Sequence, residues 1–348
     1  MRSTICSRHW PRGDRGADGS DRRATQRAAA APVARGERIA CGAMPAVPPS
    51  MINSLRRRLD DLGRHLRVLA AHAALKRAAA VLDRSVLVLE YPPNAANVPR
   101  YATALPALET AIGESAARYR AALGVIGGYI PDLERIAIEA HGDVEPSWSN
   151  EFLPWLDAAA LYAFLRDRDP ARYVEIGSGN STRFAARARK DGGLKTHFTS
   201  IDPAPRAEID TLCDTVIRCP LEGADLSVFA ELSAGDVVFL DGSHRVFMNN
   251  DVVTFFLEVL PALAPGVLVG IHDIYLPFDY PSEIAGRYYS EQYMLAAYLL
   301  GDPPVRIVLP SWYVFTEHRD EVRTIWQRSS HFREIECSGA AFWLQTGA

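Results

Sequence analysis

Hydrophobic positions along the chain fall into three regimes. From Met1 to about Pro49 Arg, Ala, Gly and Pro dominate, and no apolar period appears at two or at about 3.6 residues. Such a segment cannot bury enough surface to offset its ordering entropy, so residues 1–50 are expected to be disordered. Met44 and Met51 both offer alternative starts. From Ser54 the pattern changes: Leu55, Leu59, Leu62, Leu66 and Leu69 alternate steps of four and three, the stripe of an amphipathic helix. Arg56, Arg57, Arg58, Arg64 and Arg67 occupy its other faces. The stripe suits packing on its own domain or on a twin subunit better than a membrane surface. Tyr91-Pro92-Pro93-Asn94 breaks this helix, and a second one is expected over about Pro106 to Leu123. Gly127-Gly128 with Pro131 marks another break. Residues 51–150 therefore read as a helical N-terminal region, either a cap over an active site or a homodimerisation element.

After Leu153 the chain alternates β and α signals. A helix is expected over about Leu153–Arg166, followed by short apolar strands at Tyr173–Ile176, His197–Ile201, Thr215–Arg218, Asp236–Leu240 and Val267–Ile271. Helical stretches such as Ser181–Lys190 and Val252–Leu260 separate them. The last third adds a helix near Arg287–Leu300, a strand Val305–Leu309, a helix near Arg319–Gln327 and a strand Ala341–Gln345. Bare apolar strands between helices mean a parallel sheet covered on both faces, so residues 151–348 are expected to form one α/β domain.

Composition narrows the class without naming it. Hydrophobic residues make up 48% and charged residues 23%, ordinary for a globular protein. A formal net charge of −4 supplies no field for nucleic acid or an acidic membrane. Cys6, Cys41, Cys213, Cys219 and Cys337 form no C-x-x-C pair and no zinc spacing, which suits a reducing cytosol. No apolar run approaches the ~18–20 residues of a membrane span, and the first 50 residues contain no signal-peptide core. A cytoplasmic protein without stable membrane insertion is the expectation.

The strongest local signal is Tyr173-Val174-Glu175-Ile176-Gly177-Ser178-Gly179-Asn180-Ser181-Thr182. An apolar strand runs into a glycine turn that opens a helix. Gly177 permits a tight turn, Gly179 lets a ligand approach the backbone, and the helix N-terminus favours a carboxylate or phosphate. The next strand ends in Asp202, an acid that can accept from two vicinal ribose hydroxyls. Ligands of open parallel sheets sit beyond the carboxyl ends of the strands. That rim collects Asp202, then Asp241-Gly242-Ser243-His244, then His272-Asp273. A histidine with an ordinary pKa of ~6.5 can take a hydroxyl proton at neutral pH, which makes His244 and His272 the candidate bases. Asp251 either caps the following helix or reaches the rim. The aromatic stretch Tyr275–Tyr280, with Arg287, Tyr288, Tyr289 and Tyr293, reads as a wall over an acceptor pocket or as packing of its own loop. Trp148, Asn150 and Trp155 stand where they can close the other side.

The acid ahead of Gly177-x-Gly179 resembles the E/D-x-G-x-G motif of class I S-adenosylmethionine (SAM)-dependent methyltransferases, a likeness that covers about Trp148–Gln345. The pairing of D-G-x-H after the fourth strand with H-D after the fifth resembles the small-molecule O-methyltransferase branch, which includes catechol and macrolide-sugar O-methyltransferases. The resemblance implies a Rossmann-like seven-stranded, mostly parallel sheet with helices on both faces, preceded by the helical N-terminal region. It implies methyl transfer from SAM to a small-molecule acceptor, at a hydroxyl oxygen. It also implies cofactor contacts from Glu175 (near the methionine amino group), Gly177, Ser178, Gly179, Ser181, Asp202 and Asp241. Relatives often hold Mg²⁺ with an acid after the fourth strand and an oxygen pair after the fifth, which here points to Asp241 and Asp273. His272 replaces an oxygen ligand, and imidazole favours Mn²⁺, Fe²⁺ or Zn²⁺ over Mg²⁺, so a divalent metal stays open. The motif departs from the family in lacking a third glycine, with Ser181 and Thr182 in its place. Two alternatives compete. An NAD-dependent oxidoreductase wants that third glycine and a Tyr/Lys or His catalytic set. A non-catalytic SAM-binding or scaffold protein has no use for the rim residues.

Overall fold

The computed structural model describes residues 49–81, 104–142, 144–205 and 208–347. Residues 1–48 and the break at Tyr91–Asn94 lie outside the described residues. Two compact units result, α1 (Pro49–Val81) in one and the described residues from 104 onward in the other. Helix α1 is a single 33-residue helix, and Leu55, Leu59, Leu62, Leu66 and Leu69 are each 54–61% exposed along it. No helix among the described residues is long and apolar enough to cross a membrane.

In the second unit α2 (Pro106–Gly113), α3 (Ala116–Gly128) and α4 (Ile130–Leu133) precede α5 (Trp155–Arg168). The single helix expected over Pro106–Leu123 is thus two. Gly113 is a poor helix former, and the Tyr119 hydroxyl donates back to the Ile112 carbonyl, turning α3 onto the end of α2. Leu108, Ile112, Leu123 and Ile126 are buried in the same core as the sheet, so the N-terminal region expected over 51–150 divides between the two units. Every residue of α5 from Trp155 to Leu165 is buried, as its all-round apolar sequence requires.

Seven strands form one sheet in the order β3-β2-β1-β4-β5-β7-β6. They are β1 (Arg172–Ile176), β2 (His197–Ile201), β3 (Thr215–Ile217), β4 (Val237–Leu240), β5 (Leu268–Ile271), β6 (Val305–Pro310) and β7 (Phe342–Thr346). The first five run parallel, and β7 is antiparallel to both neighbours. Between them lie α6 (Asn180–Gly192), α7 (Ser227–Ala230), α8 (Asp251–Thr254), α9 (Ser282–Ala285), α10 (Glu291–Leu300), α11 (Ser311–Glu317) and α12 (Arg319–Trp326). The helix expected at Val252–Leu260 begins as α8 and then widens into a π-helical turn, Phe255–Val259, before Pro261. The helix expected from Arg287 starts only at Glu291, because Tyr288 adopts a left-handed φ of 54°. The strand order reverses between β1 and β4, and ligand clefts open at such a switch point.

Candidate active site

The turn after β1 is built around Gly177, whose φ is 77°. A Cβ there would collide with the Asp241 carbonyl oxygen, so the turn crosses directly over the end of β4. Asp202 then fastens the loop: Oδ2 accepts from the Ser178 N–H at 2.7 Å and Oδ1 from the Ala204 N–H at 2.8 Å. The Ser178 hydroxyl turns into the sheet, 2.7 Å from that of Ser200, so only its backbone faces outward. Gly177, Gly179, Ser181, Asp202, Pro203 and Asp241 line a cleft of about 610 Å³ over this loop.

Glu175 is not in that cleft. It lies 1% exposed beneath the loop, accepting from the Tyr173 hydroxyl at 3.0 Å and from the Thr182 hydroxyl. Thr182 Oγ1 in turn accepts from the Gly179 N–H at 3.0 Å, so the acid anchors the turn from below. The resemblance puts this acid near the methionine amino group; the Tyr173 and Thr182 hydroxyls hold its carboxyl inside the protein, directly beneath the glycine turn. Burial pushes the Glu175 pKa up from 4.5 to about 7, against the opposing hydrogen bonds. A carboxyl raised in the folded state binds more protons than in the unfolded chain between these values, so its contribution to stability falls as pH rises through that window. Glu175→Gln is expected to remove that fall. The difference in unfolding free energy between the two proteins should shift in the variant's favour by up to about 3 kcal/mol from pH 4.5 to 7, read by urea melts at each pH.

The ends of β4 and β5 bring the remaining candidates together. His244 Nε2 lies 3.3 Å from Asp241 Oδ1 and 3.4 Å from Asp273 Oδ2, while its Nδ1 lies 3.0 Å from Glu291 Oε2. His272 Nδ1 is 3.3 Å from the same Asp241 oxygen, and its Nε2 is 3.5 Å from Asp157 Oδ2. His244 and Asp273 both hold left-handed backbones, at φ 59° and 56°, a strain of the kind that concentrates at functional sites. Burial alone would push both histidines down. For His244, hydrogen bonding with Asp241 and Glu291 outweighs it; for His272, the charges of Asp241 and Asp273 do, and both pKa values rise well above the ordinary range. Asp241 answers in the opposite direction: its burial is outweighed by His272 and His244, and its carboxyl is held far below the usual carboxylate range.

Three further acids support the site. Asp157, fully buried on α5, accepts from the Ala340 and Ala341 N–H groups at 2.6 and 2.9 Å while facing His272. Glu291, fully buried at the start of α10, holds His244, whose carbonyl accepts from the Ser290 and Glu291 N–H groups. Asp251 reaches the rim, with the helix cap falling to Asn250 instead. Its carboxylate accepts from the Ser243 N–H and hydroxyl, both at 2.6 Å. An unexpected acid inside the apolar α5 was the one available hint for Asp157, and Glu291 could not be told from an ordinary helix-start acid; for Asp251 the second of its two sequence readings holds.

A second cleft, of about 680 Å³, opens on the other side of the rim, with His272, Asp273, Tyr275 and Tyr289 among its lining. The Tyr289 ring lies 4.6 Å from that of His244, whereas Tyr293 turns away to bond Asp279. Trp148 and Trp155 border this cleft mainly as buried packing, with Phe332 between them and both rings no more than 4% exposed. Asn150 accepts from the Leu153 N–H at 2.8 Å and faces Asn180 at 3.3 Å. The two clefts share Phe152, Leu153, Asp241 and His244.

Sheet order, the glycine turn over β1 and the acid after β2 form a Rossmann-like α/β fold with a paired cleft at its switch point. Residues 174–274, from β1 to just beyond His272-Asp273, match the family model described as a methyltransferase domain. Among solved structures, the chain is similar to the O-methyltransferase TomG of Streptomyces achromogenes, at 15% identity over 65% of this chain and 89% of that one, with a TM-score of 0.35. It is similar to the O-methyltransferase of Bacillus cereus, at 14% identity over 72% and 94%, TM-score 0.35. The methyltransferase PaMTH1 of Podospora anserina follows at 18% identity over 64% and 93%, TM-score 0.33. No curated protein matches the chain in sequence.

Proposed function

We propose that this chain is a SAM-dependent methyltransferase that acts on a hydroxyl oxygen of a small molecule. The observation that carries the reading is the meeting of the two clefts at Asp241 and His244, which gives a donor side and an acceptor side one shared reacting edge. When bound, SAM supplies a methyl group already activated on a sulfonium, so the protein's own work is alignment and proton removal. Gly177, Gly179 and Ser181 offer backbone and a helix N-terminus to the donor side, and the free lone pairs of Asp202 suit ribose hydroxyls. On the acceptor side His244 is the base in its deprotonated form, and because its pKa is raised, turnover should increase with pH above the neutral range. Donating Nδ1–H to Glu291 leaves Nε2 as the atom that takes the hydroxyl proton. His272 lies deeper and is assigned the second role, polarising the same edge through Asp241.

Asp241, His244 and Asp273 place one ligand atom each within 4.8 Å of one another. Two carboxylates facing one imidazole nitrogen demand a cation between them or a proton on that nitrogen, and Glu291 supplies the outer carboxylate that metal-bound histidines use. As an alternative to the proton on Nε2, we extend the candidate metal pair, Asp241 and Asp273, to include His244, which would then be a ligand and not the base. A divalent ion held there would polarise the acceptor oxygen, and the mixed N/O donor set suits Mn²⁺, Fe²⁺ or Zn²⁺. If so, Glu291→Gln is expected to weaken Mn²⁺ binding about 10- to 100-fold, read by calorimetry on chelator-treated protein.

The test of the reaction class is incubation with SAM carrying a deuterated methyl group and a metabolite extract, followed by mass spectrometry. Labelled O-methyl products that disappear with His244→Ala support the reading. Label on nitrogen or carbon, or none with active cofactor turnover excluded, contradicts it.

A further inference from the structure

Helix α1 presents an apolar stripe that stays open among the described residues. It is the one described element of its unit, and Leu55, Leu59, Leu62, Leu66 and Leu69 are each 54–61% exposed. Helices in proteins take most of their stability from packing an apolar face, so a 33-residue helix with a bare stripe calls for a partner. The shape of the stripe says what kind. At about 100° per residue the five leucines fall within an arc of about 80°, the narrow seam of a coiled coil. A helix that packs on a globular core shows a broader face.

A lipid surface fits this seam poorly. Interfacial helices set Trp, Phe or Leu along a wide apolar face, whereas α1 has no Trp, Tyr or Phe. Arg58, Lys76 and Arg77 also close in on the stripe from its two sides. A second copy of α1, by contrast, supplies an identical seam. Covering the five leucines of each copy removes roughly 1,000 Å² from water, the size at which an interface becomes specific.

Charge then sets the direction of the pair. Two parallel helices in register put Lys76 against Lys76 at a seam position and the Arg56–Arg58 runs side by side. Turned antiparallel about the midpoint between Leu59 and Leu62, the helices set Leu59 against Leu62 and Leu55 against Leu66. Each arginine run then meets Gly63 and His65 of the other helix, and Lys76 runs past that helix's Pro49 end.

We infer that the chain forms a homodimer through α1, as an antiparallel pair centred between Leu59 and Leu62. The pairing is independent of the reaction assigned to the α/β unit.

The test is sedimentation of the full-length protein across a concentration series. The expected result is a monomer–dimer equilibrium that L59A/L62A weakens at least about a hundredfold, because four leucines leave one seam. Alanine is the best helix former, so the loss reports the seam and not the helix propensity of α1. L75A removes an exposed leucine from the opposite face and should leave the equilibrium unchanged. K76L should keep the affinity within about twofold of the parent, since Lys76 lies outside the overlap. A parent that stays monomeric, a dimer that survives L59A/L62A, or equal weakening by L75A overturns the proposal. Tightening beyond twofold in K76L would make the pair parallel and overturn the register. A monomer that instead floats with phosphatidylglycerol vesicles would assign the stripe to a lipid surface, which also overturns it.

Discussion

Replacing His244 with alanine is expected to lower turnover by about 10²- to 10⁴-fold while leaving the affinity for S-adenosylhomocysteine within a few-fold of the parent, the range lost when a positioned general base is removed. The geometry concentrates the effect on one atom. Glu291 fixes Nδ1 at 3.0 Å, the Ser290 and Glu291 N–H groups grip the His244 carbonyl, and the left-handed φ of 59° turns the ring onto Asp241. Nε2 is left facing the shared edge of the two clefts. His272→Ala should also spare cofactor binding and cut turnover, since it removes the partner of Asp241 rather than the proton acceptor. Steady-state kinetics of the two variants side by side checks both statements. Unchanged turnover in His244→Ala would remove the base from the mechanism.

The second large effect is expected on binding. Asp202→Ala should weaken S-adenosylhomocysteine binding by roughly a hundredfold, from the loss of charge-assisted hydrogen bonds worth about 1.5–3 kcal/mol each. The side chain has two tasks at once. It offers lone pairs to the cleft, and it holds the Ser178 and Ala204 N–H groups at 2.7 and 2.8 Å. Asn at this position keeps an acceptor for one N–H and should fall between the two proteins. Calorimetric titration of the three proteins separates the contributions.

Much of this was legible in the pattern of residues, for identifiable reasons. The seven strands were placed within a residue at every end, the central parallel ones because they are buried and continuously apolar. Gly177, Asp202, Asp241, His244, His272 and Asp273 were brought to one rim by topology alone, since each follows directly on a strand. What sequence missed depends on long-range contact. Asp157 meets His272 across 115 positions of chain, and Glu291 meets His244 across 47, so neither pairing leaves a local spacing to read. For Glu175 the motif is strong, but the direction of its carboxyl is set by the hydroxyls of Tyr173 and Thr182, which the motif does not report. The split between α2 and α3 and the late start of α10 turn on single backbone conformations that hydrophobic periodicity does not report.

The central claim is that the cleft over Gly177 and Asp202 binds the methyl donor. Its most direct test is calorimetric titration of the purified protein with S-adenosylhomocysteine, with NAD as the comparison ligand. The account predicts micromolar binding of S-adenosylhomocysteine alone, lost in Asp202→Ala. Binding of NAD instead, or of neither ligand, would contradict it.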